Sequence, residues 1–344
     1  MTHVRHGLTV VIDDQDDFAY TQAALHAHQP GQGRIAVQPT PASNHPAALA
    51  HDVLYSLGKR LRSGPDSPDA RLDSVWPAWL AAAAWSAATG LRHLVVTRAH
   101  LLSTPRLEQL LTWREAAGIQ LTVLWQTSPR RMPPVLARIE RRLSGLAQLR
   151  TVLAEPGPAP ARPHFPPLPT LPQTPTPLPP APHESQTPPK RPAPVSLPAS
   201  PRSREACAGA VAAAQFLSPS PALTVHPLDT AYLTTLADPL ITGALSVLAF
   251  TPSTQIALRC IRDIDLSSDV TLLRTHSPGH RHCRLHEVPA WARPLLAAAR
   301  AHHRLTDRQP EEELFTPGLS LGAKCLRAHR ERLSQPDARA AIHP

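Results

Sequence analysis

The sequence predicts an α/β fold: a parallel sheet with helices on both faces, then a proline-rich linker, then a smaller, mainly helical C-terminal domain with a short β-hairpin. Three observations carry this. Short apolar runs alternate with helical patterns over the first part of the chain, as βα repeats require. Nineteen of the 42 prolines fall between Pro156 and Pro201. Helical patterns resume beyond that stretch, interrupted by two short strand-like runs. The boundaries follow: residues 1–154, 155–203 and 204–344.

Gly7–Ile12 reads as a buried strand and Ala19–His28 as the helix after it. Arg34–Val37 is a second short strand. His45–Arg62 has Leu49, Val53, Leu54, Leu57 and Leu61 near helical spacing. Ala78–Ala88 is a helix of alanine and tryptophan, and His93–Thr97 is a strand. Thr104 is placed to cap the next helix, with Pro105 in its first turn, where a missing N–H costs nothing, and Gly118 ends it. Gln120–Trp125 is a strand. Pro134–Leu146 reads as a helix whose Arg138, Arg141 and Arg142 share a face. In the last third, Pro239–Phe250 (capped by Asp238), Ser253–Cys260, Trp291–Leu305 and Leu321–Leu333 read as helices. Val270–Thr275 and Arg284–Val288 read as strands.

The stretch Pro156–Pro201 has only four charged residues, Arg162, Glu184, Lys190 and Arg191. It cannot bury a core and favours extended polyproline geometry. The net charge is +9, carried almost wholly by arginine, with lysine only at positions 59, 190 and 324. An acidic partner such as nucleic acid fits that balance, although arginine-rich codon usage produces the same excess. Four cysteines with no CxxC pair do not make a disulfide framework. The apolar run near the N-terminus is too short for a signal peptide, and Trp79–Ala88 too short for a membrane span. A cytoplasmic protein without a membrane segment is expected.

Between the first strand and helix, a phosphate-binding loop would read G-x-x-x-x-G-K-[ST]. This chain has Asp14-Gln15-Asp16-Asp17-Phe18-Ala19-Tyr20-Thr21. Thr21 fits, but Asp14 and Ala19 replace the glycines and Tyr20 the lysine. Phosphates need close backbone N–H groups and a cation. Asp13, Asp14, Asp16 and Asp17 offer repulsion instead. The order of elements over residues 7–154 resembles the AAA-type P-loop ATPases that accompany transposases. In that resemblance Leu94-Val95-Val96 corresponds to the Walker B strand, with Thr97 and Arg98 in place of its Asp-Glu. Leu121–Trp125 with Gln126-Thr127 corresponds to the sensor strand. The resemblance therefore implies an ATPase frame that has lost hydrolysis. The acidic run could hold Mg²⁺ through its carboxylates, but a solvated helix start is the simpler reading.

Phe250-Thr251-Pro252, Leu258-Arg259, Asp263-Ile264-Asp265-Leu266, Val288-Pro289-Ala290-Trp291, Leu295-Leu296 and Leu314-Phe315 resemble the opening of a tyrosine recombinase catalytic domain of the phage-integrase type. Pro252, Ser253 and Thr254 stand near the place of that family's first catalytic arginine. His329-Arg330-Glu331-Arg332 has the spacing of its His-x-x-Arg box but comes too early, and no tyrosine nucleophile follows. Strand cleavage is not expected.

His276, His280, His282, Cys283 and His286 crowd one stretch. Of these His280, His282, Cys283 and His286 are weak zinc candidates, because no C-x₂-C pair accompanies them. A polar hairpin is the simpler reading, and no metal or cofactor is expected.

The function these readings imply is non-catalytic: a mobile-element-derived protein that binds DNA or a transposition or recombination partner, and no small-molecule substrate. Arg130, Arg131, Arg138, Arg141 and Arg142 are the candidate DNA contacts. Two alternatives stand beside it: a protein scaffold acting through the proline-rich linker, and an ATP-binding transposition regulator with a non-standard site.

Overall fold

The computed structural model describes residues 7–61, 69–137, 141–154, 225, 227–276 and 283–315. Five strands form one sheet: β1 (Leu8–Ile12), β2 (Arg34–Val37), β3 (His93–Val96), β4 (Gln120–Trp125) and β5 (Arg141–Leu143), in the order β2-β3-β4-β1-β5. Every pairing is parallel, with Val10 opposite Val123 and Arg142, and Val95 between Ala36 and Thr122. Buried on both faces, β1 to β4 read as apolar runs rather than alternating ones.

Alternation along each strand divides the core in two. Val10, Ile35, Val37, Leu94, Val96, Leu121 and Val123 face one layer. Helices α2 (Ala48–Ser56), α3 (Val75–Thr89) and α4 (Thr104–Ala117) pack in that layer. Val11, Ala36, Val95 and Leu124 face the other, covered by α1 (Phe18–His26) and by α6 (Leu146–Ala154) through Ala24, Leu149 and Leu153.

Several predicted bounds shift for local reasons. The second helix is shorter than 45–62, because Gly58 takes a left-handed φ of 77° and turns the chain away. Ser103, not Thr104, stands at the N-cap of α4, and Gly118 at φ 65° ends it as expected. The predicted helix Pro134–Leu146 is wrong. A single turn, α5 (Pro134–Ala137), is followed by the edge strand β5, so Arg141 and Arg142 lie on a strand with their side chains on opposite sides of the sheet. Pairing with β1 outweighs the local helical spacing there.

The C-terminal region is smaller and mainly helical: α7 (Pro227–Thr235), α8 (Pro239–Phe250), α9 (Gln255–Leu258) and α10 (Arg293–Leu305), with the antiparallel hairpin β6 (Leu272–His276) and β7 (Cys283–Glu287). Asp238 caps α8 as expected, accepting from the amides of Leu240 at 2.9 Å and Ile241 at 3.3 Å. This region shares one core with the first: α10 lies along α3, and Leu245, Phe250, Leu295 and Leu296 join the same cluster as Trp85 and Leu94. The contact is also polar. Trp85 Nε1 donates to the Ala237 carbonyl at 2.7 Å. Lys59 Nζ donates to the Thr234 carbonyl at 2.7 Å and lies 3.3 Å from the centre of the Trp85 ring system. Arg71 pairs with Asp238 at 2.8 Å. The predicted linker and the helix Leu321–Leu333 lie outside the described residues, and among the described residues no helix is long and apolar enough to cross a membrane.

Candidate functional site

The strand order reverses beside β1. The chain leaves β1 towards β2 on one side of the sheet and leaves β4 towards β5 on the other. Open α/β sheets bind ligands in the crevice at the carboxyl ends of strands at such a point. Here the crevice lies between the loop Asp13–Asp17 and the residues after β4, Gln126 and Thr127.

Gln126 occupies this crevice and is 3% exposed. Its Nε2 lies 3.0 Å from Asp16 Oδ1, 3.1 Å from Thr21 Oγ1 and 3.4 Å from Asp13 Oδ2. An amide has two N–H groups, so Asp16 and Thr21 are its main acceptors. Its Oε1 accepts from the Arg98 amide at 3.0 Å, with the Thr21 hydroxyl 3.3 Å away. One side chain thus ties together the loops after β1, β3 and β4. The Asp13 amide adds a bond to the Trp125 carbonyl at 3.0 Å. Asp17 caps α1 by accepting from the Ala19 amide at 2.9 Å, which satisfies an N–H that a phosphate would otherwise take.

Two residues in these loops hold left-handed backbone, Asp16 at φ 51° and Arg98 at φ 48°. Such conformations cost about 1–3 kcal/mol in non-glycine residues and persist where surrounding bonds hold them. Gln126 supplies those bonds to both.

The remaining sequence candidates separate. Tyr20 is partly buried and packs against the core cluster on the α1–α6 side of the sheet. Its phenol is pushed up by burial and then by the charges of Asp13, Asp17 and Asp14. Thr97 is fully buried, its amide donating to the Val37 carbonyl at 2.9 Å. Asp14 is exposed and Ala19 half-buried. His100 stands edge-on to Trp125 at 6.4 Å. Its imidazole is pushed down by burial, with Asp16 opposing and Arg98 adding to the shift. Of the proposed nucleotide residues, then, Thr21 and Arg98 reach the crevice. Asp13, Asp16 and Gln126 complete it. Gln126 was marked in the sequence only by its place after a strand, and nothing local signals its long-range partners.

Arg130 and Arg131 are exposed on the turn Pro129–Arg131, and Arg141 and Arg142 are exposed on β5. Arg138 lies outside the described residues. Of the zinc candidates, His280 and His282 also lie outside them. Cys283 meets His276, while His286 bonds the Thr275 hydroxyl at 3.0 Å on the opposite face of the hairpin. Among the described residues no three His, Cys, Asp or Glu side chains gather as a metal site.

A second cavity, of about 290 Å³, opens where the two regions meet, lined by Arg71, Trp76, Leu80, Leu240, His302 and Arg308 among others. No family model matches the chain, and neither does any curated protein or solved structure.

Proposed function

We propose that this chain is a non-catalytic relative of the AAA-type ATPases that accompany transposases, and that it works by binding DNA or a recombination partner. The observation that carries the reading is the Gln126 side chain at the sheet's switch point. It joins Asp13, Asp16, Thr21 and the Arg98 amide, which fills the crevice with the chain's own bonds and gives the Arg98 amide an acceptor other than a phosphate. Around it stand carboxylates, with no lysine and no acidic pair at Thr97-Arg98. Phosphate binding and in-line hydrolysis need a cation, close N–H groups and a metal-holding carboxylate, and this crevice offers none of these in the usual places. The affinity for DNA rests on exposed arginines of the turn after β4, Arg130 and Arg131, and of the edge strand β5, Arg141 and Arg142, together with the net charge of +9.

A protein partner is favoured by a different observation. Phe18 and Leu101, 66% and 45% exposed, stand on the same carboxyl rim of the sheet.

One titration series tests the reading. The full chain is titrated with a fluorescent ATP analogue and Mg²⁺, and with unrelated DNA duplexes at two salt concentrations. The expected result is no saturable nucleotide binding. DNA binding should weaken with salt by a log–log slope of about 0.9 per neutralised phosphate. Replacing Arg130, Arg131, Arg141 and Arg142 by alanine should flatten that slope for every duplex alike. Micromolar nucleotide binding sinks the non-catalytic reading. An unchanged slope in the variant moves the function to a protein partner.

A further inference from the structure

The hairpin β6–β7 carries a constellation that the proposed function does not use. His276 and Cys283 are directly opposite in the antiparallel register, so their side chains share one face. His276 Nδ1 lies 3.1 Å from Cys283 Sγ, and His276 Nε2 lies 2.9 Å from Asp265 Oδ1. Asp265 and His276 are buried, whereas Cys283 is half-buried and within reach of solvent.

The bonding decides where the imidazole proton sits. Asp265 Oδ1 accepts from Arg274 Nε at 3.0 Å, and Oδ2 accepts from the Arg262 amide at 3.0 Å, with Arg262 Nε at 3.5 Å. Burial alone would raise this carboxyl. The bond from His276, the Arg262 amide and the charge of Arg274 together hold it below the ordinary range. An ionised carboxylate only accepts. His276 therefore presents Nε2–H to Asp265 and leaves the Nδ1 lone pair towards Cys283. A base next to a thiol, oriented by a third group, is the general arrangement of an activated nucleophile.

The geometry points to Cys283 as a nucleophilic thiol, with His276 as its base and Asp265 positioning that base, and so to a site of covalent modification by soft carbon or acyl electrophiles. In the step, the Cys283 proton passes to His276 Nδ1. The sulfur pair forms the S–C bond, and the leaving group departs with its electron pair and takes the proton from His276. No oxidant or metal is needed. Among the described residues, the other charged groups on the elements around this site are Arg284 and Glu287 on β7 and Glu313, whose backbone forms an antiparallel bridge with that of Arg262.

Cys260 serves as an internal control. It is also half-buried, but burial and then the charge of Glu313 push its thiol up. The experiment is alkylation of the intact chain by iodoacetamide from acid to alkaline pH, with each cysteine quantified by peptide mass spectrometry. The Cys283 rate should plateau with a midpoint about two pH units below the ordinary thiol value near 8.5. At about pH 6.5 the thiolate fraction then rises roughly fifty-fold, while the lower basicity costs up to roughly tenfold in intrinsic reactivity. Cys283 should thus react at least about fivefold faster than an unperturbed thiol, and Cys260 more slowly than one. In His276→Gln the Cys283 midpoint should return towards that of a free thiol. A wild-type midpoint at or above the free-thiol value overturns the proposal, whatever the variant does. So does an unchanged midpoint in a folded His276→Gln chain, and so does stoichiometric zinc released by the thiol reagent. If His276→Gln fails to fold, the wild-type profile alone decides.

Discussion

Gln126 illustrates how much a single buried amide can hold. It satisfies a carboxylate of the loop after β1, a hydroxyl of α1 and a backbone amide of the loop after β3. Replacing it by leucine keeps the volume roughly constant but leaves Asp13, Thr21 and the Arg98 amide buried without it. An unsatisfied buried polar group costs about 1–3 kcal/mol. Gln126→Leu should therefore lower stability in urea by at least about 2 kcal/mol, and a loss under about 0.5 kcal/mol, the ordinary surface value, would show that water replaces the amide. Buried histidines set a second single-residue effect. Burial, then Arg71 and Arg308, lower His302 to about 3; burial and then Arg34 lower His93 to about 4. Both folded values lie below the unfolded value near 6.5. As pH falls from about 6.5, the unfolded chain takes up protons that the folded chain refuses, so stability is lost in acid. For His302 alone the loss by about pH 4 is on the order of 3 kcal/mol. Comparing urea midpoints at neutral and acid pH should show a steep fall in the wild type and a shallower one in His302→Leu.

At the scale of elements, α8 and α10 meet at Gly243. A Cβ there would stand 2.7 Å from the Ala299 Cβ and 3.0 Å from Phe315 Cε1. In an open helix, glycine to alanine gains about 1 kcal/mol. Here overpacking costs about 1–3 kcal/mol against that gain, so Gly243→Ala should lower the melting temperature, and a rise would show that α10 can retreat. The same elements mark what the sequence made legible. Strands β1 to β4 were readable because a strand buried on both faces is a short apolar run between turn signals. The helices α4 and α8 were readable because Gly118 ends one and Asp238 starts the other. The edge strand β5 was not, because Arg-Arg-Leu carries no strand signal and takes its conformation from β1. The crevice was half legible. The loss of lysine and glycines is plain in the residues from Asp14 to Thr21. The Gln126 network that fills the crevice is a contact between residues over a hundred positions apart, and spacing alone does not reveal it.

At the scale of the molecule, the deciding feature is α3. Its sequence, VWPAWLAAAAWSAAT, is apolar on every side, and such a helix must be buried on every side. The sheet, α2 and α4 cover part of it, and α10 covers the rest. Trp85 shows the consequence: it is fully buried and donates to a carbonyl of the C-terminal region. Removing a buried tryptophan costs about 3–5 kcal/mol, and losing the whole α10 face would expose far more apolar surface than one side chain. Residues 1–154 are therefore not expected to stand alone. The arginines and Lys190 near the end of the proline-rich stretch are the natural sites for trypsin. Cleavage there should give two pieces that stay together, eluting as one species by gel filtration and parting only in denaturant. Elution as two folded species in native buffer would show that the contact between α3 and α10 is too weak to join them. Aggregation of residues 1–154 expressed alone, relieved by co-expression with residues 204–344, would show from the opposite direction that the helix needs its cover to fold.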